Sequence, residues 1–286
     1  MKYGVFLPNF GPFGSARTMA NLARAAEESG WDGFFIWDHV SRPHPLDNVD
    51  PWVAMAAIAM NTSTLKFGPI VTPLPRRRPW KVARETVSLD HLSGGRLIFG
   101  VGIGSSRPSE WEDLGEETDK KVRGAMLDEG LDVLNGLWSG ERFTYDGQYY
   151  PVQQSHFLPK PVQVPRIPVW VGGEWPNKAP FRRAARWDGV IPLLRADYDP
   201  VQQLKDTLSF IHGLREGDQP FDVVHVGLPT PGDDQSQAVE MVAPFIDAGA
   251  TWWFEPIDPR RFDVDWTDEW PVERLQERVL QGPPKA

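Results

Sequence analysis

The chain has 286 residues, 41% of them hydrophobic and 24% charged, and its formal net charge at pH 7 is −9. An acidic balance argues against a nucleic-acid partner, because phosphate contacts need a basic face. The absence of cysteine excludes disulfides and thiolate chemistry. No signal-peptide pattern opens the sequence and no run reaches the ~18 apolar residues of a membrane span, so we expect a cytoplasmic protein without a membrane partner.

Eight short runs rich in β-branched and aromatic residues are predicted as strands. They are residues 3–8, 33–38, 65–72, 96–102, 168–172, 189–192, 221–228 and 251–256. Their nearly continuous apolar character is typical of a parallel sheet covered by helices.

Helical patterns fill the spaces between these strands. They cover residues 18–29, 51–60, 79–92, 119–138, 177–186, 199–212, 234–248 and 271–280. Eight strand–helix repeats predict an α/β fold, a (β/α)₈ barrel over residues 1–286 as one domain, with an open doubly wound sheet as the alternative. Two insertions are predicted, at 105–118 and at 140–166, and Asp146-Gly147 indicates a hairpin turn in the second.

The ends of the strands hold the candidate site residues, because barrel enzymes place their active sites there. These residues are Asn9, Asp38, His39, Thr72, Gly102, Ile103, Gly104, Ser105, Ser106, Gly172, Gly173, Glu174, Leu193, Leu194, Arg195, Pro229, Thr230 and Glu255. Asp38-His39 is the most specific pair, because it can act as a tuned base or as a clamp on a heterocycle. The competing interpretation is a capping aspartate beside a half-exposed histidine.

Three further motifs each allow a binding and a packing interpretation. Gly100-Val-Gly-Ile-Gly lets the backbone approach a flat or anionic ligand, or it closes a tight barrel turn; its spacing is not the dinucleotide fingerprint. Gly172-Gly173 before a helix can bind a phosphate or form a simple turn. The run Arg76-Arg77-Arg78 can attract an anion, but we favour a solvated run. The histidines lack zinc-binding spacing, so no metal site is predicted.

Several longer motifs resemble one known family in their order along the chain. They are Gly4-Val-Phe-Leu-Pro, Glu28-Ser-Gly-Trp-Asp-Gly-Phe-Phe-Ile-Trp-Asp-His, Val71-Thr-Pro-Leu-Pro, the run from Ala83 to Gly104, and Ile167-Pro-Val-Trp-Val-Gly-Gly. The chain resembles the bacterial luciferase-like superfamily of (β/α)₈ flavin-dependent oxidoreductases over nearly its whole length. Homodimers are usual in that superfamily, so the resemblance implies a homodimer.

Within the superfamily, Asp38-His39 resembles the subgroup that uses the deazaflavin coenzyme F420. The resemblance implies that this pair lies beside the deazaflavin ring, and that a cis peptide between Pro69 and Ile70 bulges against the ring. It places the cofactor on Asp38, Pro69, Ile70, Val71, Ile103, Gly104, Ser105, Gly172 and Gly173. The sugar-phosphate dehydrogenases of the subgroup have a tryptophan and a glutamate where this chain has Pro43 and Ser105, which argues against that substrate.

The function implied is hydride transfer between F420 and a small organic substrate. His39 is the candidate proton donor or acceptor, and Asp38 sets its charge or binds the ring. Phe10, Trp37 and Trp175 are candidate apolar walls, while Ser105 and Ser106 are candidate hydrogen-bond donors. The alternatives are a monooxygenase that uses flavin mononucleotide (FMN) and a cofactor-binding protein without turnover.

Overall fold

The computed structural model describes residues 1–193 and 197–284. Its parallel strands are β1 (Lys2–Leu7), β2 (Gly33–Ile36), β3 (Lys66–Pro69), β4 (Thr72–Pro73), β5 (Phe99–Gly102), β8 (Val169–Glu174), β9 (Gly189–Leu193), β10 (Asp222–Val226) and β11 (Trp252–Pro256). The predicted hairpin is confirmed as the antiparallel pair β6 (Arg142–Tyr145) and β7 (Val152–His156).

In the described part of the chain, eight α-helices alternate with the barrel strands, as the sequence predicts. They are α1 (Ala16–Glu28), α2 (Pro51–Asn61), α3 (Pro79–Ser93), α4 (Lys120–Trp138), α5 (Lys178–Ala184), α6 (Pro200–His212), α7 (Gln235–Asp247) and α8 (Val272–Leu280). Side chains cap several N-termini; Asp50, for example, accepts hydrogen bonds from the first backbone amides of α2. No helix within the described part of the chain is both long and apolar enough to span a membrane.

The parallel strands form one sheet in the order β3-β2-β1-β11-β10-β9-β8-β5-β4. A parallel bridge between Phe67 and Leu97 joins β3 to the residues before β5 and closes this sheet into a barrel. β3 and β4 are two parts of the predicted third strand, so the barrel has eight strand positions. The predicted (β/α)₈ barrel is confirmed, and the open sheet is excluded.

Two apolar cores lie on the two sides of the strands. The larger one packs the outer face of the barrel against the helices. The smaller one fills the barrel with inward-facing side chains, among them Phe35, Trp170, Trp252 and Phe254. The rings of Phe35 and Phe254 stack with their centroids 4.4 Å apart, so the interior is packed and does not form a pore.

Candidate active site

Asp38 follows β2 and lies fully buried at the mouth of the barrel. Its carboxylate accepts hydrogen bonds from Thr72 Oγ1 at 2.8 Å and from Arg77 Nη2 at 2.7 and 2.9 Å. Arg76 Nη2 donates to the Asp38 backbone carbonyl at 3.1 Å. The interpretation of the arginine run as solvated is therefore wrong for Arg76 and Arg77, because the buried Asp38 carboxylate draws both guanidinium groups inward.

His39 is held at the mouth by its backbone and by one ring nitrogen. Asn9, buried after β1, donates from Nδ2 to the His39 carbonyl at 2.9 Å and accepts from the His39 amide at 3.1 Å. Nδ1 of His39 lies 2.7 Å from Oε1 of Glu110. The side chain is 17% exposed, and no residue of the described ranges is recorded as a hydrogen-bond partner of Nε2.

Glu110 is the functional side chain that the sequence interpretation missed. Only 2% of it is exposed, and it also accepts hydrogen bonds from Ser105 Oγ at 2.8 Å and from the Val40 amide at 3.3 Å. Burial raises its pKa, but the hydrogen bonds from His39 and Ser105 and the charges of His39 and Arg76 outweigh burial and lower the pKa to about 2. Glu110 is therefore ionised at physiological pH.

The loop that carries Glu110 is fixed to the barrel by the next residue, Trp111, which is buried. Arg123 of α4 stacks on the Trp111 ring at 4.0 Å and donates to the Ser105 carbonyl at 2.9 Å. A Cβ on Gly104 would lie 2.4 Å from the Trp111 ring. A tryptophan within an otherwise polar, acidic loop was the sequence signal that could have identified the anchored carboxylate beside it.

The glycine-rich turn packs against β3 and β4. A Cβ on Gly100 would lie 2.3 Å from the Pro69 carbonyl oxygen, and one on Gly102 would lie 2.8 Å from Val71 Cγ2. Across the barrel a Cβ on Gly172 would lie 2.9 Å from Val71 Cγ1. These glycines therefore pack closely against β3 and Val71, and together they bring Val71 to the mouth.

The non-proline cis peptide joins Ile70 to Val71. The predicted position between Pro69 and Ile70 is therefore wrong by one residue. The bond lies between β3 and β4, where the strand pairing changes from β2 to β5.

An aromatic cluster, which consists of Phe10, Trp37, Trp266 and Trp270, adjoins His39. The centroid of the His39 ring lies 5.7 Å from that of Phe10 and 5.5 Å from that of Trp37. Trp266 lies 5.6 Å from Phe10 and 5.5 Å from Trp37. Trp37 also packs on the inner core together with Val71, so the mouth has an apolar floor beside the hydrogen-bonded His39–Glu110 pair.

Other predicted residues lie apart from this pair. Trp175 packs instead against Phe181 and Phe210, on α5 and α6. The carboxylate of Glu255 is buried, where it binds Thr230 and two arginines. Leu194 and Arg195 lie outside the described residues. Ile103, Gly104 and Gly173 lie near the strand ends as predicted, and Ser106 is exposed.

The family model described as luciferase-like monooxygenase matches residues 1–278. The chain belongs to this family. Monooxygenases are oxidoreductases, so the enzyme class expected from the sequence motifs is confirmed together with the fold.

The relatives of this luciferase-like chain include proteins named for F420. An uncharacterized protein of Mycobacterium tuberculosis is 35% identical over 72% of this chain and 78% of its own length. A protein of Nakamurella multipartita named F420-dependent glucose-6-phosphate dehydrogenase is 29% identical over 97% of this chain and 81% of its own. The coenzyme F420-dependent tetrahydromethanopterin reductase of Methanopyrus kandleri has a TM-score of 0.73 at 16% identity, covering 98% and 96% of the two chains; this likeness concerns the fold alone.

Proposed function

We propose that this chain is an F420-dependent oxidoreductase that moves a hydride between the deazaflavin and a small organic substrate. The observation that carries the proposal is the His39–Glu110 pair, at 2.7 Å, placed beside the apolar floor of Trp37 and Val71. The likeness to a relative named F420-dependent over 97% of the chain supports F420 as the cofactor.

The mouth of the barrel fits a flat heterocycle with polar edges. Trp37 Nε1 and Arg76 Nη1 are buried donors without a hydrogen-bond partner among the described residues. Such donors suit the carbonyl and ring-nitrogen acceptors of a deazaflavin or flavin. We therefore propose that Asp38, Pro69, Ile70, Val71 and the turns at Ile103-Gly104-Ser105 and Gly172-Gly173 would hold the ring.

When bound, F420 supplies or accepts the hydride at its C5 position. Glu110, ionised at physiological pH, accepts a hydrogen bond from Nδ1–H of His39 and so leaves the lone pair on Nε2. Nε2 then takes the proton of the substrate heteroatom during oxidation, or returns it during reduction. Asp38 holds Arg76 and Arg77 at the edge of the site, where their donors orient the ring.

Titration of the purified protein with F420 and with FMN tests this assignment, with quenching of tryptophan fluorescence as the readout. We expect micromolar binding of F420 and at least tenfold weaker binding of FMN. His39→Asn is expected to bind F420 normally and to lose most of its turnover. Tighter binding of FMN, with oxygen consumption by the reduced flavin, would instead establish the monooxygenase that the family description names.

We also propose that the chain forms a homodimer through α2 and α3. Val53 and Met60 of α2 are 59% and 68% exposed, and Trp80 of α3 is 41% exposed. Exposed apolar side chains on adjacent helices are typical of an isologous interface. A double variant, Val53→Glu with Met60→Glu, should halve the mass measured by light scattering. Leu214→Glu, at an exposed leucine outside these helices, should not. An unchanged mass of the double variant contradicts the proposal. The cytoplasmic location stays a prediction.

A further inference from the structure

Arg42 lies in the loop that follows His39 and stacks on the aromatic cluster. Its guanidinium carbon is 4.3 Å from the centroid of the Phe10 ring and 5.7 Å from that of Trp266. Phe10 also neighbours His39, at 5.7 Å between ring centroids. Arg42 and His39 therefore pack against the same aromatic ring, which is fully buried.

Two donors of this guanidinium lack a partner. Nε and Nη1 of Arg42 are shielded from solvent, and neither has a hydrogen-bond acceptor within residues 1–193 and 197–284. Burial of unpaired charged donors costs free energy, which an anionic ligand recovers by accepting their hydrogen bonds. By contrast, Arg260, the other arginine that faces Trp266, is paired through two nitrogens with Asp258.

The charges around Arg42 leave a positive excess. Burial and the neighbouring Arg107 lower the pKa of Arg42, and Glu110 raises it. The carboxylate of Glu110 is already bonded to His39 and Ser105, so it does not pair with Arg42. Two neighbouring cations, Arg42 and Arg107, beside one carboxylate that is already hydrogen-bonded favour the binding of an anion.

We propose that Arg42 binds the anionic group of the substrate, a small carboxylate or phosphate monoester whose flat apolar body lies against Trp266, which is partly exposed. The inference rests on the proposed function and names the substrate class of that same site. A planar guanidinium fork suits both anions, since each presents two oxygens to parallel N–H donors. F420 itself carries a phosphate, so the experiment has to separate substrate from cofactor as the source of the anion.

Calorimetric titration with three probes tests the proposal without any need for turnover. Benzoate and phenyl phosphate are the anionic probes, and benzamide is the neutral probe of similar shape. Each is titrated into the protein alone and into the protein saturated with F420. We expect both anions to bind at least tenfold more tightly than benzamide in both preparations.

Arg42→Gln removes the positive charge. Arg42→Lys keeps the positive charge but lacks the planar guanidinium group with its parallel N–H donors. Arg274→Gln is the matched control, because Arg274 stacks on Phe262 at 3.8 Å on the exposed side of α8. Arg42→Gln should weaken both anions about tenfold or more and leave benzamide and F420 unchanged. Arg42→Lys should recover part of the anion affinity, and Arg274→Gln should change nothing. Circular dichroism verifies that each variant folds.

Equal affinity for benzoate and benzamide, or unchanged anion affinity in folded Arg42→Gln, would overturn the proposal. The proposal would also be overturned if saturation with F420 abolished anion binding and Arg42→Gln bound F420 more weakly, because Arg42 would then bind the cofactor. Failure of F420 to bind at all contradicts the proposed function, but it leaves the anion titrations of the protein alone intact, so the two failures are distinguishable.

Discussion

At the scale of single residues, the site depends on a carboxylate that fixes a histidine. Glu110 contacts His39 at Nδ1, and Ser105 and the Val40 amide hold both of its oxygens in place. Ser105 was predicted as a ligand-binding residue, but its hydroxyl donates to Glu110. The carboxylate that binds His39 therefore comes from the loop beyond β5. It does not come from the turn position of Ser105, where the sugar-phosphate dehydrogenases that the sequence resembles have a glutamate.

Glu110→Gln is expected to reduce turnover about 10- to 100-fold, because the neutral amide no longer fixes which His39 nitrogen carries the proton. Affinity for F420 should stay within twofold of the wild type. Nitrogen-15 NMR of the imidazole measures the tautomer directly, and we expect a shift from the Nδ1-protonated form toward a mixture. Glu112→Gln, at an exposed position of the same loop, is the control; equal effects of both substitutions would rule out the positioning role.

At the scale of the elements, close packing determines which residues β5 and β10 can contain. In β5, Gly100 allows the backbone of β3 to approach closely. In β10, the side chain of His225 lies in the outer core. The His225 ring lies 3.9 Å from Phe245 of α7 and 4.6 Å from Trp253 of β11. Burial there lowers the pKa of His225 to about 3, so this histidine is neutral at physiological pH.

Gly100→Ala is expected to cost about 3 kcal/mol of unfolding free energy, because its Cβ would lie 2.3 Å from a backbone oxygen that cannot rotate away. Urea denaturation measures the loss. Gly124→Ala on α4 is the matched control, since its nearest neighbour is a side-chain nitrogen of Arg183 at 3.7 Å, and it should be neutral or stabilising by up to about 1 kcal/mol. Similar stabilities of the two variants would contradict this account of the close approach.

The variant His225→Phe should lose less stability than the wild type when the pH is lowered. Between pH 6.5 and about 3 the unfolded chain binds a proton at His225 that the folded chain does not. The stability of the wild type therefore decreases as the pH is lowered through this window. The stability of the wild type relative to the variant should be constant above pH 6.5 and fall by up to about 1.4 kcal/mol per pH unit below it. His156→Gln, at an exposed position of β7, should follow the wild type; a parallel curve for His225→Phe would disprove the assignment.

At the scale of the whole molecule, a buried arginine supports the Phe67–Leu97 bridge, which closes the barrel together with the pairing of β4 and β5. Arg96 donates to the backbone carbonyls of Ala59, Thr62, Leu65 and Ser93, at 2.8 to 3.0 Å. These carbonyls lie at the ends of α2 and α3 and before β3. Arg96 therefore connects the segments on both sides of the Phe67–Leu97 bridge.

Arg96→Met should cost about 3 to 5 kcal/mol, because it leaves buried carbonyls without donors. Hydrogen exchange should accelerate first at the closing amide of Ile98, which donates to the Phe67 carbonyl at 2.9 Å. Arg142→Met, on the exposed strand β6, should change the stability by less than about 0.5 kcal/mol. Uniformly faster exchange throughout the barrel would contradict a local role in closure.

The barrel was predictable because each strand and helix carries its own periodicity. The exact position of the cis peptide bond in the third strand was harder to predict. The bond lies one residue beyond its expected place, and the residue types around it do not distinguish the two positions. Glu110 was not separable from the other acidic residues of its loop, since its pairing with His39 spans 71 residues of sequence. The burial of Arg76 and Arg77 likewise depends on Asp38, which only the fold brings near them.

The stacked rings of Phe35 and Phe254 inside the barrel have a kinetic consequence. They seal the interior below the mouth, so molecules enter and leave the site at the mouth. Coenzyme and substrate, placed as proposed at Val71 and Arg42, would then share this entrance and bind in a fixed order. Initial-rate patterns in which a dead-end analogue of the substrate is uncompetitive toward the coenzyme would establish that the coenzyme binds first.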